Sequence, residues 1–224
     1  MSFYNKNKNP FPFYTLEGSV WTNTKTKWHR NNCKGCCYLH KVFVGTQYFQ
    51  LPIDNSLAGV SEINSVDLRL VSNNTVVAGT SSQLQIYVDS EDKKYLVIAM
   101  QITAPMVGDL LYVSVDTEQS NYYSEVFCVS PTQTKGVSIE WSSSSGKVGS
   151  MVYQDLFKHS VYLDAFMVQS EPEIEETTVE DGYGLETPTL QILKQGYELS
   201  VVVPNYIAQA LSALPLHDKL NFIN

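Results

Sequence analysis

From residue 38 to residue 129 the chain is a succession of short strand-like runs with no helical pattern between them. These runs are YLHKVFV, TQYFQLPI, SVDLRLV, QLQIYV, KYLVIAM, LLYVSV and YYSEVFCV. Several alternate in period two, as at Val66, Leu68 and Leu70, which indicates strands with one face in a core. Polar stretches such as DSEDKK separate the runs and favour turns. The pattern predicts an immunoglobulin-like antiparallel sandwich over residues 37–130.

A second β-rich unit is predicted over residues 131–224. Its strand-like runs are VSIEW, MVYQ, SVYLDAFMV, TLQILK, YELSVVV and KLNFI. One stretch, NYIAQALSAL, instead repeats its apolar residues at helical spacing. It follows a possible N-cap at Asn205 and precedes Pro215, which cannot continue a helix, so the sequence predicts one short helix over residues 205–214.

Charge is distributed unevenly along the chain. The net charge is −8, yet residues 1–41 hold seven bases against Glu17, so the remaining residues carry −14. Residues 1–36 show no clear periodicity but contain isolated aromatic residues, which favours an extended arm that becomes ordered on a partner. A basic arm on an acidic body is typical of self-association, with nucleic acid or a solvated tail as alternatives. The candidate contact residues of the arm are Trp21, Lys25, Lys27, Trp28 and Arg30.

An acidic segment provides the other half of this predicted contact. Six acidic residues and no base lie within residues 171–181. The surrounding stretch, residues 171–188, is predicted to be a long exposed hairpin loop. Glu173, Glu175 and Glu176 are therefore the candidate partners of the basic arm of a neighbouring chain.

The stretch HRNNCKGCCYLH, residues 29–40, holds three of the four cysteines and two of the four histidines. Cys33 and Cys36 have the C-x2-C spacing of a zinc turn. A structural zinc site usually needs a second pair of ligands, and the remaining cysteine, Cys128, stands alone in an apolar run. The sequence therefore predicts a turn without metal, and metal binding at Cys33 and Cys36 stays open as the alternative.

No other residue pattern indicates catalysis or a cofactor. The nucleophile motif G-x-S-x-G is absent, and His159 and His217 stand apart in the sequence. We therefore predict no enzyme, no catalytic residue and no cofactor. The polar N-terminal residues predict no secretory signal, and no apolar run is long enough to cross a membrane. Assembly in a reducing cytoplasm, where disulfides are rare, is expected.

Three stretches carry a family resemblance: NYYSEVFCV, SVYLDAFMV and YELSVVVPNYIAQALSALPLHDKLNFI. In this order and spacing they resemble virion neck and tail proteins of bacteriophages that infect Bacteroidetes, including the crAss-like phages, over roughly residues 30–224. The resemblance implies a virion location and a structural ring subunit below the portal, on the conduit for DNA ejection. It also implies a homo-oligomer, commonly of twelve copies, that contacts other neck or tail proteins, with DNA only as passing cargo.

The alternative function is a binding module of the virion that presents aromatic residues to a host glycan or receptor. Its candidate residues are Tyr122, Tyr123, Trp141 and Tyr183. Aromatic residues in strands more often belong to the core than to a binding face. The sequence leaves open the ring position, the copy number and the identity of neighbouring proteins.

Overall fold

The computed structural model of this chain is mainly β, as the sequence predicts. It describes residues 10–15, 40–53, 59–77, 82–88, 92, 94–131, 136–145, 147–148, 151–153, 157–180, 182–184, 186–194, 196–203 and 205–223. Two large hydrophobic cores and a small third cluster, Tyr112 with Val126, lie within this part of the chain. No helix among these residues is both long enough and apolar enough to cross a membrane.

The first unit is a sandwich of two facing sheets. Its strands are β1 (Phe13–Thr15), β2 (His40–Phe43), β3 (Gly45–Ile53), β4 (Ile63–Leu70), β5 (Ser82–Val88), β6 (Lys94–Ile102), β7 (Leu110–Thr117), β8 (Asn121–Ser124) and β9 (Phe127–Ser130). One sheet has the order β1-β8-β7-β9-β2, with β4 paired to β7, and the other has the order β3-β6-β5. The strands pair antiparallel, except that β2 and β9 are parallel. The predicted sandwich-like architecture is confirmed.

The larger core fills the space between these two sheets. The alternating residues Leu111, Val113 and Val115 of β7 are fully buried in it, as their period-two pattern predicts. Strand β6 is buried on both faces: Ile98 points into this core, whereas Val97 belongs to the second core. The β3-β6-β5 sheet therefore lies between the two cores.

Local backbone chemistry explains two features of the sandwich. The chain crosses from β2 in one sheet to β3 in the other at Gly45, whose φ is +137°. Residues with a Cβ rarely adopt that conformation. Pro52 lies within β3, which is an edge strand of its sheet, where a residue that cannot donate a hydrogen bond is tolerated.

In its described residues, the second unit combines a small sheet, three ribbons and one α-helix. Its elements are β10 (Val137–Ser142), β11 (Lys147–Val148), β12 (Met151–Val152), β13 (His159–Leu163), β14 (Met167–Gln169), β15 (Glu173–Glu180), β16 (Glu186–Lys194), β17 (Tyr197–Leu199), α1 (Asn205–Leu211) and β18 (Lys219–Ile223). The sheet has the order β13-β10-β18, and the ribbons are β11-β12, β14-β17 and β15-β16. The predicted helix is confirmed, beginning at Asn205 and ending at Leu211.

The second core joins this unit to the outer face of the β3-β6-β5 sheet. It contains Ile139 and Trp141 of β10 and Ile207 of α1, together with Val97 of β6. At another point Lys41 of β2 pairs with Asp164, with Nζ and Oδ1 2.6 Å apart. This ion pair is largely exposed, so the shared apolar face holds the units together more than the charges do.

Candidate assembly surfaces

Strands β15 and β16 form a hairpin, here called the projecting hairpin (residues 173–194). Their register runs from Glu173 opposite Lys194 to Glu180 opposite Glu186. The described side chains of β15 are all exposed, and Tyr183 at the tip is 98% exposed. Eight residues of strand span about 27 Å. The hairpin therefore extends well away from the two cores.

The long exposed hairpin loop predicted over residues 171–188 is in the structure an exposed hairpin of two regular strands, which extends further, to residue 194. Most of that stretch belongs to two paired strands. Glutamate has low β-propensity, and a strand exposed on both faces has no apolar alternation to reveal it. The signal that favours a strand is the group of β-formers inside the acidic run, at Ile174 and residues 177–179.

The three predicted glutamates do not share one face of the hairpin. Strand alternation places Glu173 and Glu175 on one face, and Glu176 on the other with Ile174. A register shift between Thr177 and Thr178 separates these acids from the rest of β15. The face with Glu173 and Glu175 also includes the opposite register positions Lys194 and Ile192, so near the base of the hairpin it carries two acids and one base. The other face combines Glu176 with the exposed apolar residue Ile174.

The β14-β17 ribbon anchors the projecting hairpin to the body. Met167 and Leu199, which are opposite each other, pack against the second core. The backbone N–H of Ser170 donates to the carbonyl of Gly196 at 3.0 Å, where this ribbon meets the hairpin. Beside the ribbon, Phe166 is 72% exposed. Exposed apolar residues thus accompany the base of the hairpin, as is common at protein–protein contacts.

A second notable surface is the site at the edge of the sandwich that holds strand β1. This site, here called the seat, consists of strand β8 with His40 and Phe127. Phe11 and Phe13 are only 4% and 5% exposed and belong to the larger core. The Phe11 ring stacks on His40 with centroids 4.3 Å apart and meets Phe127 edge-on. Residues 10–15, which were predicted to be part of an extended arm, are therefore integrated into the sandwich.

Polar contacts also fix this segment. The backbone N–H of Glu125 donates to the carbonyl of Pro12 at 3.0 Å, and the Tyr14 hydroxyl donates to the Glu125 carboxylate at 3.1 Å. Burial raises the pKa of Tyr14, and the neighbouring Glu125 raises it further. Burial also lowers the pKa of His40 to about 3, although a hydrogen bond to the backbone of Pro10 opposes that shift. His40 is therefore neutral beneath the segment at physiological pH.

The predicted contact residues of the basic arm lie outside the described residues. They are Trp21, Lys25, Lys27, Trp28 and Arg30. Cys33 and Cys36 lie there too, so the prediction about metal at these cysteines stays a prediction. Within the described part of the chain, no three His, Cys, Asp or Glu residues are grouped so that they could hold a metal ion.

The four aromatic residues of the alternative binding module do not converge. Trp141 is 1% exposed and buried in the second core, so it cannot be presented to a ligand. Tyr122 packs against the larger core, and Tyr183 lies at the tip of the projecting hairpin. Tyr123 lines a polar depression of about 190 Å³ together with Arg69.

A buried aromatic cluster brings together the two histidines that stand apart in the sequence. His159 and His217 both lie against Trp141 and Tyr153, with ring centroids 5.2 to 6.5 Å apart. His217 Nδ1 is 2.8 Å from the carbonyl oxygen of Ala213, and its Nε2 is 2.7 Å from the Tyr153 hydroxyl. Since a carbonyl only accepts, Nδ1 carries the proton and Nε2 accepts from Tyr153.

The protonation states and contacts of this cluster suit a structural role. Burial lowers the pKa of His159 to about 3, and the neighbouring His217 lowers it further. Burial raises the pKa of Tyr153. A neutral, buried histidine and a tyrosine that holds its proton suit packing better than proton transfer. The cluster fixes the end of the helical segment near Ala213 to β10 and β13. No family model, curated protein or solved structure matches the chain.

Proposed function

We propose that the protein is a structural subunit of a bacteriophage virion, a ring protein of the neck or tail that assembles below the portal. It acts by contacts with copies of itself and with neighbouring virion proteins, without catalysis and without a cofactor. The family resemblance supports the virion assignment. The observation that carries the assembly role is the projecting hairpin, whose described side chains are exposed along β15.

An exposed two-stranded hairpin is only marginally stable by itself in water. Both of its long edges carry backbone groups that a neighbouring strand can pair with. Contact with a second chain would stabilise the hairpin and would pair the backbone groups along its edges. When each copy places its hairpin on the body of the next, the contact is heterologous, and such contacts close into a ring when the rotation permits.

The charge pattern supports a particular neighbour. Glu173 and Glu175, which outnumber the single base Lys194 on their face of the hairpin, would meet the basic N-terminal residues of the next copy, since residues 1–36 carry six bases against one acid. Exposed ion pairs contribute less than about 1 kcal/mol each, so these charges mainly steer and register the contact. Buried apolar anchors usually carry more of the affinity, and Ile174 and Tyr183 are exposed on the hairpin.

Charge reversal tests this role in particles. We expect Glu173→Lys with Glu175→Lys to reduce incorporation of the protein into virions at least several-fold, because the reversed face would repel the basic residues of the next copy. The measurement is the amount of this chain per particle in purified virions, compared with the portal protein by quantitative mass spectrometry.

The matched control is Glu118→Lys with Glu198→Lys, which makes the same charge change at exposed positions outside the hairpin. This control should enter particles normally. Equal incorporation of both double variants would overturn the hairpin contact. Absence of the unaltered chain from purified particles would overturn the virion assignment itself.

A further inference from the structure

We propose that strand β1 is exchanged between copies of this chain, so that residues 10–15 of one copy occupy the seat on the sandwich of a second copy. This inference concerns self-association of the chain and does not depend on the virion assignment. The occupant of the seat is the same segment in both forms, and only the body that receives it differs.

The segment is held by side chains much more than by its strand pairing. Only three residues of β1 are in register with β8, from Phe13 opposite Ser124 to Thr15 opposite Tyr122. Phe11 and Phe13, in contrast, are almost fully buried between the sheets. A short strand at the edge of a sheet, with two large side chains that fill a pocket, can leave and enter without disrupting other strand pairs.

The remaining contacts of the segment are with groups that any copy would offer. The Glu125 carboxylate accepts a hydrogen bond from the Tyr14 hydroxyl, and the Glu125 backbone N–H donates one to the Pro12 carbonyl. The His40 ring stacks on Phe11. Each of these partners belongs to the body or to β2, not to the segment itself. The exchanged form would therefore keep the same contacts, as in domain swapping.

The chain between β1 and β2 is much longer than the gap it closes. Thr15 lies opposite Tyr122 and His40 lies opposite Phe127, five residues further along the β8–β9 path, which corresponds to about 17 Å. Residues 16–39 number 24, and an extended chain of that length reaches about 80 Å. Closure on its own body does not require such a length, and the excess is available to reach the seat of a second body.

The balance between the two forms depends on concentration. Covalent connection to its own body gives the segment an effective concentration on the order of 1 mM at its own seat. Exchange should therefore be rare in dilute solution and become frequent near about 1 mM chain, or wherever another contact holds the copies side by side.

Disulfide trapping between two different chains tests the exchange. In full-length protein with Cys33, Cys36, Cys37 and Cys128 replaced by serine, Thr15→Cys is placed in one chain and Tyr122→Cys in another. These positions face each other in the register of β1 and β8, within the reach of a disulfide. After mixing and oxidation at about 1 mM, we expect covalent dimers several-fold above the yield from Thr15→Cys mixed with Thr46→Cys.

Two further measurements decide the outcome. Phe11→Ala with Phe13→Ala in the Thr15→Cys chain should remove the excess of dimer, because the anchors are lost. Tyr14→Cys mixed with Tyr123→Cys provides a second opposing pair in case Tyr122→Cys weakens folding. Dimer yields equal to the control for both pairs would overturn the exchange, while the incorporation of the chain into virions would remain a separate result.

Discussion

At the residue scale, Phe11 and Phe13 are the anchors of the N-terminal segment. Removing a buried phenylalanine side chain typically lowers the free energy of unfolding by about 3 kcal/mol or more. We expect Phe11→Ala to lower it by about 3 kcal/mol, measured by urea unfolding with an unchanged dependence on urea. Phe166→Ala is the matched control, because Phe166 is mostly exposed, and it should change stability by less than about 0.5 kcal/mol. Similar effects of the two variants would contradict the burial of Phe11.

The buried histidines predict that the protein loses stability in mild acid. Burial holds the pKa of His40 and of His159 at about 3, against about 6.5 in the unfolded chain. Below pH 6.5 the unfolded chain therefore binds protons that the folded chain does not, which favours unfolding. From pH 7 to pH 5 each histidine should lower the free energy of unfolding by about 2 kcal/mol.

Urea unfolding at pH 7, 6 and 5 measures this effect, and His40→Leu isolates one contribution. Burial raises the pKa of Glu125, which acts in the opposite direction, so the comparison between variant and unaltered protein is needed. The loss between pH 7 and pH 5 should be smaller by about 2 kcal/mol in His40→Leu. An identical pH dependence in both proteins would show that His40 is accessible to protons in the folded state.

A sequence pattern predicts the surroundings of a side chain only when the residues that surround it are close to it in the chain. Phe11 and Phe13 have the spacing of a strand, but two apolar residues around a proline are too short a pattern to predict one. His159 and His217 both contact Trp141 and Tyr153, and these four residues come from four separate stretches of the chain. Such a cluster depends on tertiary packing, and no local pattern in the sequence could predict it.

At the element scale, the projecting hairpin should be dispensable for the stability of the body. Its described β15 side chains are exposed and contribute to neither core. We expect replacement of residues 173–194 by a short Gly–Ser linker to change the free energy of unfolding by less than about 1 kcal/mol. Urea unfolding followed by tryptophan fluorescence measures this, since Trp141 reports on the second core.

The contrasting variant also removes the ribbon that carries the hairpin. Replacing residues 167–199 deletes Met167 and Leu199, which pack against the second core, so this protein should be clearly less stable. If the shorter replacement already weakens the body as much as the longer one, the hairpin supports the fold rather than an external contact.

The predicted and observed elements agree where burial imposes an apolar pattern on the sequence, and they differ where it does not. Each of the seven runs between residues 38 and 129 overlaps one or two of the strands β2 to β9 in the described part of the chain, because each has an apolar face in the core. The last run divides into β8 and β9. At the end of β8, Ser124 Oγ accepts a hydrogen bond from the backbone N–H of Val113 at 2.9 Å. The parallel pairing of β2 with β9 leaves no trace in alternation, since a strand shows the same pattern in either direction.

At the scale of the whole molecule, the described part of the chain is a stack of β layers from which the projecting hairpin extends. The sandwich uses both faces of its β3-β6-β5 sheet, one for its own core and one, through Val97, for the second unit. The sequence predicts this mainly β architecture from its strand periods. The use of both faces of β6 could only be suspected from its nearly continuous apolar run, which is typical of a doubly covered strand.

A reconstruction of the assembled virion at subunit resolution would show the proposed ring and its contacts at once. We expect copies of this chain in a closed ring at the neck or tail, with residues 173–194 of each copy packed on the body of the next. A particle without this chain would contradict the virion role. A ring in which every hairpin lies in solvent would contradict the hairpin as the contact between subunits.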